Sequence, residues 1–171
     1  MIPFFEIIIF ILPAYFANAV PVLVGGGTKV DLGKKFFDGR RVFGDGKTIQ
    51  GFVGGVCAGI IISAILSIYF PLEFFGNEKM QFFSGVTLAF GTMFGDLLGS
   101  FIKRRMNVGP GKPFLMDQLS FLIIAMIFAY PFSPIIFYSI SSIVFLFVIT
   151  YLSHVLSNYA ANKLGLKNVP W

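Results

Sequence analysis

The sequence predicts an all-α membrane protein, a polytopic bundle of five transmembrane helices. Three observations carry this. Charged residues are 12% of the chain against 56% hydrophobic, with a mean hydropathy of +0.84, whereas a water-facing domain carries about 25% charge. Long apolar runs recur at residues 2–24, 52–72, 82–102, 119–130 and 135–157. The charges between them gather in a few short segments.

A span needs about 20 mostly apolar residues to cross a hydrocarbon core of about 30 Å. The first run has no basic region before it, so it is expected to be a retained helix, not a removed signal peptide. The second, third and fifth runs are long enough to span. The fourth is short and is followed by Pro131 and Pro134. It could start near Met116 and span, or turn back as a re-entrant hairpin.

Charge favours the span. Lys29, Lys34, Lys35, Arg40, Arg41 and Lys47 lie between the first two runs, Lys103, Arg104, Arg105 and Lys112 between the third and fourth, and Lys163 and Lys167 after the fifth. These segments share one side only if the chain crosses five times, which leaves Lys79 alone opposite. Positive-inside bias then puts the N-terminus outside and the C-terminus in the cytoplasm. The expected protein is one multi-pass domain, 1–171, of the cell membrane. Its net charge of +5 marks an inner face suited to anionic lipids and phosphates, not to nucleic acid.

The acids follow the same division. Asp31, Asp38, Asp45, Asp96 and Asp117 sit with the cations, while Glu6, Glu73 and Glu78 are opposite. One-sided chemistry suits an enzyme drawing on cytosolic substrate. A transporter or flippase would need polar groups on both faces, and a nonenzymatic membrane subunit would need no nucleotide site. The single cysteine, Cys57, excludes an intramolecular disulfide and a cysteine-built metal cluster. No nucleophile elbow, HExxH or DDxxD pattern is present.

Three segments could carry chemistry. In the first, Gly44, Gly46 and Gly51 surround Lys47 and Thr48 just before the second helix. The N-terminal N–H groups of a helix form a ready anion site, although a plain solvated loop would also be rich in glycine and lysine. A Walker A loop is excluded, because Arg41 stands where its first glycine belongs. In the second segment, Asp96, Ser100, Lys103 and Arg104 recur on one helix face. An aspartate inside a span is costly unless paired or binding a cation, so Asp96 is either a functional residue or half of a structural ion pair. In the third, Asp117 begins the fourth helix, where it could cap the helix or share a divalent cation with Asp96. Few oxygen ligands suit Mg2+. Asn18 either binds substrate or bonds a neighbouring helix. His154, the only histidine, reads as a packed residue.

These residues resemble a family. The segment from Gly46 through Lys47 and Thr48 to Gly55 is similar to one motif of CDP-diacylglycerol synthases. The segment from Gly95 and Asp96 through Ser100 to Lys103 and Arg104 is similar to another. Gln50 and Gln118 stand where those enzymes carry Glu and Arg. The resemblance to the smaller archaeal CDP-archaeol synthases is closer. It covers essentially all 171 residues, through Pro13, Asn18, Pro21, Asp38 to Arg41, Gly44 to Thr48, Gly95, Asp96, Asp117 and Gln118.

The resemblance implies transfer of a cytidylyl group from CTP to an isoprenoid ether lipid phosphate, with Mg2+ required. On that basis loops 25–51 and 103–117 form the nucleotide site. Asp96 and Asp117 take the metal. Asn18, Arg40, Arg41, Gly46, Lys47 and Thr48 bind CTP, and Lys103 and Arg104 attract the lipid phosphate.

Overall fold

The computed structural model describes residues 4–109, 115–163 and 165; the side chains of residues 115, 117, 118 and 161 lie outside that description. Five α-helices follow in order: α1 Phe4–Val24, α2 Ile49–Tyr69, α3 Glu78–Arg105, α4 Leu115–Ala129 and α5 Ile140–Lys163. Among the described residues the only strand-like pairings are two isolated antiparallel bridges in the α1–α2 loop.

Local chemistry sets the helix ends. Thr48 caps α2, its Oγ1 accepting the Gly51 N–H at 3.1 Å. Asn77 caps α3 in the same way, accepting from the Met80 N–H at 2.9 Å. Short polar side chains at these positions satisfy donors that the helix leaves open. Lys103, Arg104 and Arg105 fill the last turn of α3, opposite the negative end of its dipole. With 28 residues at about 1.5 Å each, α3 outlasts a hydrocarbon core of about 30 Å.

Two expectations change. The last apolar run is not one helix. Residues Ile135–Tyr138 form a 3-10 turn behind Pro134, and extended Ser139 separates it from α5. Ser139 Oγ then accepts the Ser142 N–H at 3.3 Å and starts the new helix, which continues to Lys163. The fourth run begins at Leu115, near the expected Met116, and passes from α4 into a 3-10 turn at Tyr130–Phe132 that contains Pro131. Four helices are long and apolar enough to cross a membrane; α4 is shorter.

The helices alternate in direction, so the α1–α2 loop, the C-terminus of α3, the N-terminus of α4 and the C-terminus of α5 share one end. This end holds nearly all the described cations and is called the basic end below. Ile7, Ile11, Ala14, Leu88, Phe121 and Leu122 form a core with almost no exposure. Helices α3 and α4 meet backbone to backbone along Gly91, Gly95 and Gly99. A Cβ on Gly95 would lie 2.6 Å from the Phe121 Cα and 2.7 Å from the Ser120 carbonyl oxygen. Small residues permit such an approach where apolar burial alone cannot drive helices together. Helix α5 is the least buried of the long helices. It is tied to α1 by Tyr15 Oη and Thr150 Oγ1 at 2.7 Å.

The α3–α4 seam can be tested directly. Gly95→Leu should lower stability by about 3 kcal/mol, the upper part of the overpacking range, read as a lower unfolding midpoint in detergent. An unchanged midpoint would mean that the seam is not in contact.

Candidate active site

Residues 25–48 fold back on themselves in two tiers. At the base, the Val30 N–H donates to the Lys47 carbonyl at 2.9 Å and the Ile49 N–H to the Thr28 carbonyl at 2.8 Å. At the tip, the Phe36 N–H donates to the Arg40 carbonyl at 2.7 Å, around a turn in which Gly39 has φ 75°. The base tier delivers Lys47 and Thr48 to the first turn of α2. Thr48 Oγ1 also accepts the Gly26 N–H at 3.3 Å. Above Gly46 the space is open.

A buried carboxylate organises this loop. Asp31 is 6% exposed. It takes Arg41 Nη2 at 2.5 Å and Nε at 3.2 Å, and the N–H groups of Gly33, Phe43 and Gly44 at 3.0 Å each. Burial alone would raise its pKa. The hydrogen bonds from Arg41 and from Gly44, Phe43 and Gly33 outweigh that and hold the carboxyl far below the usual range. Asp45 also lies low, through hydrogen bonds from Lys29 and Arg41. Gly44, with φ 96°, allows the chain to pass beside the Arg104 guanidinium, which would sit 3.0 Å from a Cβ there.

The loop meets α3 at one ion pair. Lys47 Nζ donates to both oxygens of Asp96, at 2.7 Å each. Their side chains are 26% and 21% exposed, so the pair is partly screened but not bathed in solvent. Ser100 and Lys103 lie on the same inward face and are buried. Arg104 turns instead to the loop, donating from Nε to the Phe43 carbonyl at 3.4 Å. One turn deeper than Asp96, Thr92 is fully buried, and its hydroxyl has no partner among the described residues.

The structure therefore brings together Asp96, Lys47, Thr48 and Gly46, with Lys103 and Arg104 beside them. Other expected ligands point to protein partners. Arg40 donates to the carbonyls of Arg104 and Arg105, at 3.3 and 2.6 Å, and closes the end of α3. Arg41 is committed to Asp31 and Asp45. Asn18 Nδ2 donates to His154 Nε2 at 3.4 Å, and the His154 ring also lies 5.4 Å from that of Phe121. The side chain of Asp117 lies outside the described residues. Its backbone is in the first turn of α4, next to Met116, which faces Gly99.

Among the described residues no three His, Cys, Asp or Glu side chains gather. A divalent cation here would draw mainly on Asp96 and on ligand oxygens. That sparse oxygen set fits Mg2+, which takes one or two carboxylates and completes its shell with phosphate and water. Sequence reasoning missed the role of Asp31 and the burial of Thr92. The Asp31-x-Gly33 turn was the one local signal for Asp31, and Thr92 gave none.

The profile of the CarS-like family, described as CDP-archaeol synthase, matches residues 1–171. The CDP-archaeol synthase of Pyrococcus abyssi is 47% identical, with 100% of both chains covered. That of Thermococcus gammatolerans is 49% identical, covering 95% of this chain and 93% of its own. A solved structure described as an intramembrane enzyme for archaeal membrane lipids biosynthesis superposes with a TM-score of 0.79 at 34% identity, covering 90% of this chain and 93% of its own.

Asp31→Ala should loosen the loop, because Arg41 and three backbone N–H groups lose their acceptor, read as faster trypsin cleavage after Lys34, Lys35 and Arg40. The folded pKa of Asp31 is lowered. Its stabilisation is therefore complete above the unfolded value of about 4 and is lost as pH falls toward the depressed folded value. The variant should lack that acid limb; equal acid sensitivity in both proteins would count against Asp31 as the loop's organising charge.

Proposed function

The chain belongs to the CDP-archaeol synthase family, and from that premise we propose that its chemistry is run at the Lys47–Asp96 pair. A cytidylyl group passes from CTP to the phosphate of 2,3-bis-O-geranylgeranylglycerol 1-phosphate, giving unsaturated CDP-archaeol and pyrophosphate. The observation that carries this reading is the Lys47 ammonium spanning both Asp96 oxygens at 2.7 Å, beside the N-terminus of α2 and the open space over Gly46.

A lipid phosphate oxygen attacks the α-phosphorus of CTP. The bond from that phosphorus to the bridging oxygen breaks, and pyrophosphate leaves. The attacking phosphate is already anionic, so no general base is needed. The barrier is the approach of two polyanions, and positioning with charge neutralisation supplies most of the catalysis.

Lys47 neutralises Asp96 in the apolar wall, and the same ammonium can turn to a phosphate entering over Gly46. Thr48 and the positive end of the α2 dipole draw that phosphate in. Lys103 and Arg104 draw the lipid phosphate to the same depth. Exposed Arg40 adds positive field along the entry path, whereas Arg41 holds the loop in shape. Asp96, with Asp117, would hold Mg2+, which when bound offsets charge on the triphosphate and on the departing pyrophosphate.

The basic end then faces the cytoplasm, with five crossings and the active site on that side. An apolar cleft of about 430 Å³ lies between α4 and α5, lined by Leu122, Met126, Ile127, Tyr138, Leu146 and Phe147. It starts near the depth of Gly95, and its lining suits an isoprenoid tail.

The test is incubation of purified protein with labelled CTP, Mg2+ and an archaeal ether lipid phosphate. Label should enter the organic phase only with Mg2+ present. Folded protein that transfers no label to any of several lipid phosphates would sink the assignment. Asp96→Asn should keep the fold and lose turnover by orders of magnitude, and wild-type activity would remove it from the metal role. Lys47→Ala should raise the CTP KM most; unchanged CTP kinetics would free Lys47 from that task.

A further inference from the structure

The tip of the α1–α2 loop carries groups that the reaction does not use. Phe37 is 99% exposed. Neither Lys34 nor Lys35 has a side-chain partner among the described residues. One exposed phenylalanine is ordinary, so the location must decide.

The hairpin reaches from the end of α3 onto its outward side. The Phe36 ring packs edge-on against Phe101 at 5.3 Å, and Phe37 against Phe36 at 5.0 Å. Phe101 continues the outward stripe of α3 made by Phe83, Phe90, Phe94 and Leu98, all exposed, at helical spacing. In a bundle that spans a bilayer this stripe meets lipid. Phe36 therefore extends the lipid-facing wall at the basic end, and Phe37 projects beside it.

The remaining charges of the hairpin are already engaged. Arg105 lies between the rings of Phe36 and Phe101, 4.9 and 5.0 Å from their centroids, with Nη1 2.9 Å from Asp38. Arg40 closes α3. Lys34 and Lys35 are left to face outward next to the apolar tip. An apolar tip flanked by lysines at a membrane edge matches an anionic leaflet, with hydrocarbon beneath and phosphates above.

We propose that residues 34–41 form an interfacial foot. Phe37 enters the outer edge of the hydrocarbon at the basic end, and Lys34 and Lys35 bind the phosphates of anionic lipids. The foot is hydrogen-bonded to the end of α3 and continuous with the segment that presents Lys47. Lipid contact thus steadies the loop from outside the catalytic groups, and it does so whichever nucleotide the site accepts.

The experiment places one tryptophan at the tip. Trp171→Phe removes the chain's single native tryptophan, and Phe37→Trp adds the probe at a position too exposed to affect folding. The full chain is reconstituted in phosphatidylglycerol-containing vesicles with bromine on the acyl chains near the headgroups. The expected result is a several-fold loss of indole emission relative to unbrominated vesicles, with protection from acrylamide. Emission unquenched by bromine would overturn the foot: acrylamide access equal to that of free indole would then put the tip in water, and protection from acrylamide would put it against another protein copy. In neutral vesicles the quenching should weaken, and Lys34→Ser/Lys35→Ser should abolish the difference between anionic and neutral lipid. Equal quenching in both lipids with the lysines present would remove the charge half of the proposal.

Discussion

An aspartate in the wall of an apolar bundle must be matched, and here the match comes from outside the bundle. Asp96 sits on α3 with glycine-lined contacts to α4 on one side of it. Among the described residues it is Lys47, almost fifty positions earlier, that takes both of its oxygens. The loop that carries Lys47 must therefore be as well ordered as the helices. Its order comes from Asp31, a carboxylate that collects a guanidinium and three backbone N–H groups. The membrane penalises unpaired charge, and that penalty couples a loop built like soluble protein to a helix built for lipid.

Packing and chemistry use different faces of α3. Gly91, Gly95 and Gly99 let α4 approach. Asp96, Ser100 and Lys103 occupy the neighbouring face, and the phenylalanine stripe is opposite. Because α3 and α4 touch at backbone level, the depth of Asp96 relative to the start of α4 is held by hard contact, not by side chains that can rearrange. The cytidylyltransferase of an ether-lipid pathway needs such rigidity, because its two substrates approach from different phases and must meet at one depth. Arg40 and Arg105 add a second tie, each linking the loop to the end of α3 through a carbonyl of the other segment.

Much of this was legible in the sequence. The apolar runs located the helices, and the scarcity of acids in spans singled out Asp96. A lysine and threonine at a helix start pointed to Lys47 and Thr48, and the family motifs agreed. The partners of Arg40 and Arg41 were not legible. A cation in a loop looks the same whether it meets a phosphate, a carboxylate or the end of a helix, and here the choice depends on contacts more than sixty residues apart for Arg40. The break at Ser139 was hidden because residues 135–138 are as apolar as α5; hydropathy does not register the extended serine between them. Thr92 had no signal, since a threonine in a membrane helix usually bonds its own backbone.

The dependence of the loop on α3 has a consequence for biogenesis. Membrane helices leave the ribosome in order, and the α1–α2 loop is synthesised two elements before the helix end that completes it. Until α3 has emerged, Lys47 lacks its carboxylate and Arg40 lacks the carbonyls it closes. A nascent chain stalled after α2 would thus carry every α1–α2 loop residue of the nucleotide site and still have no site. The protein gains its reactive geometry late, in one step, when it is committed to the bilayer that will receive its product.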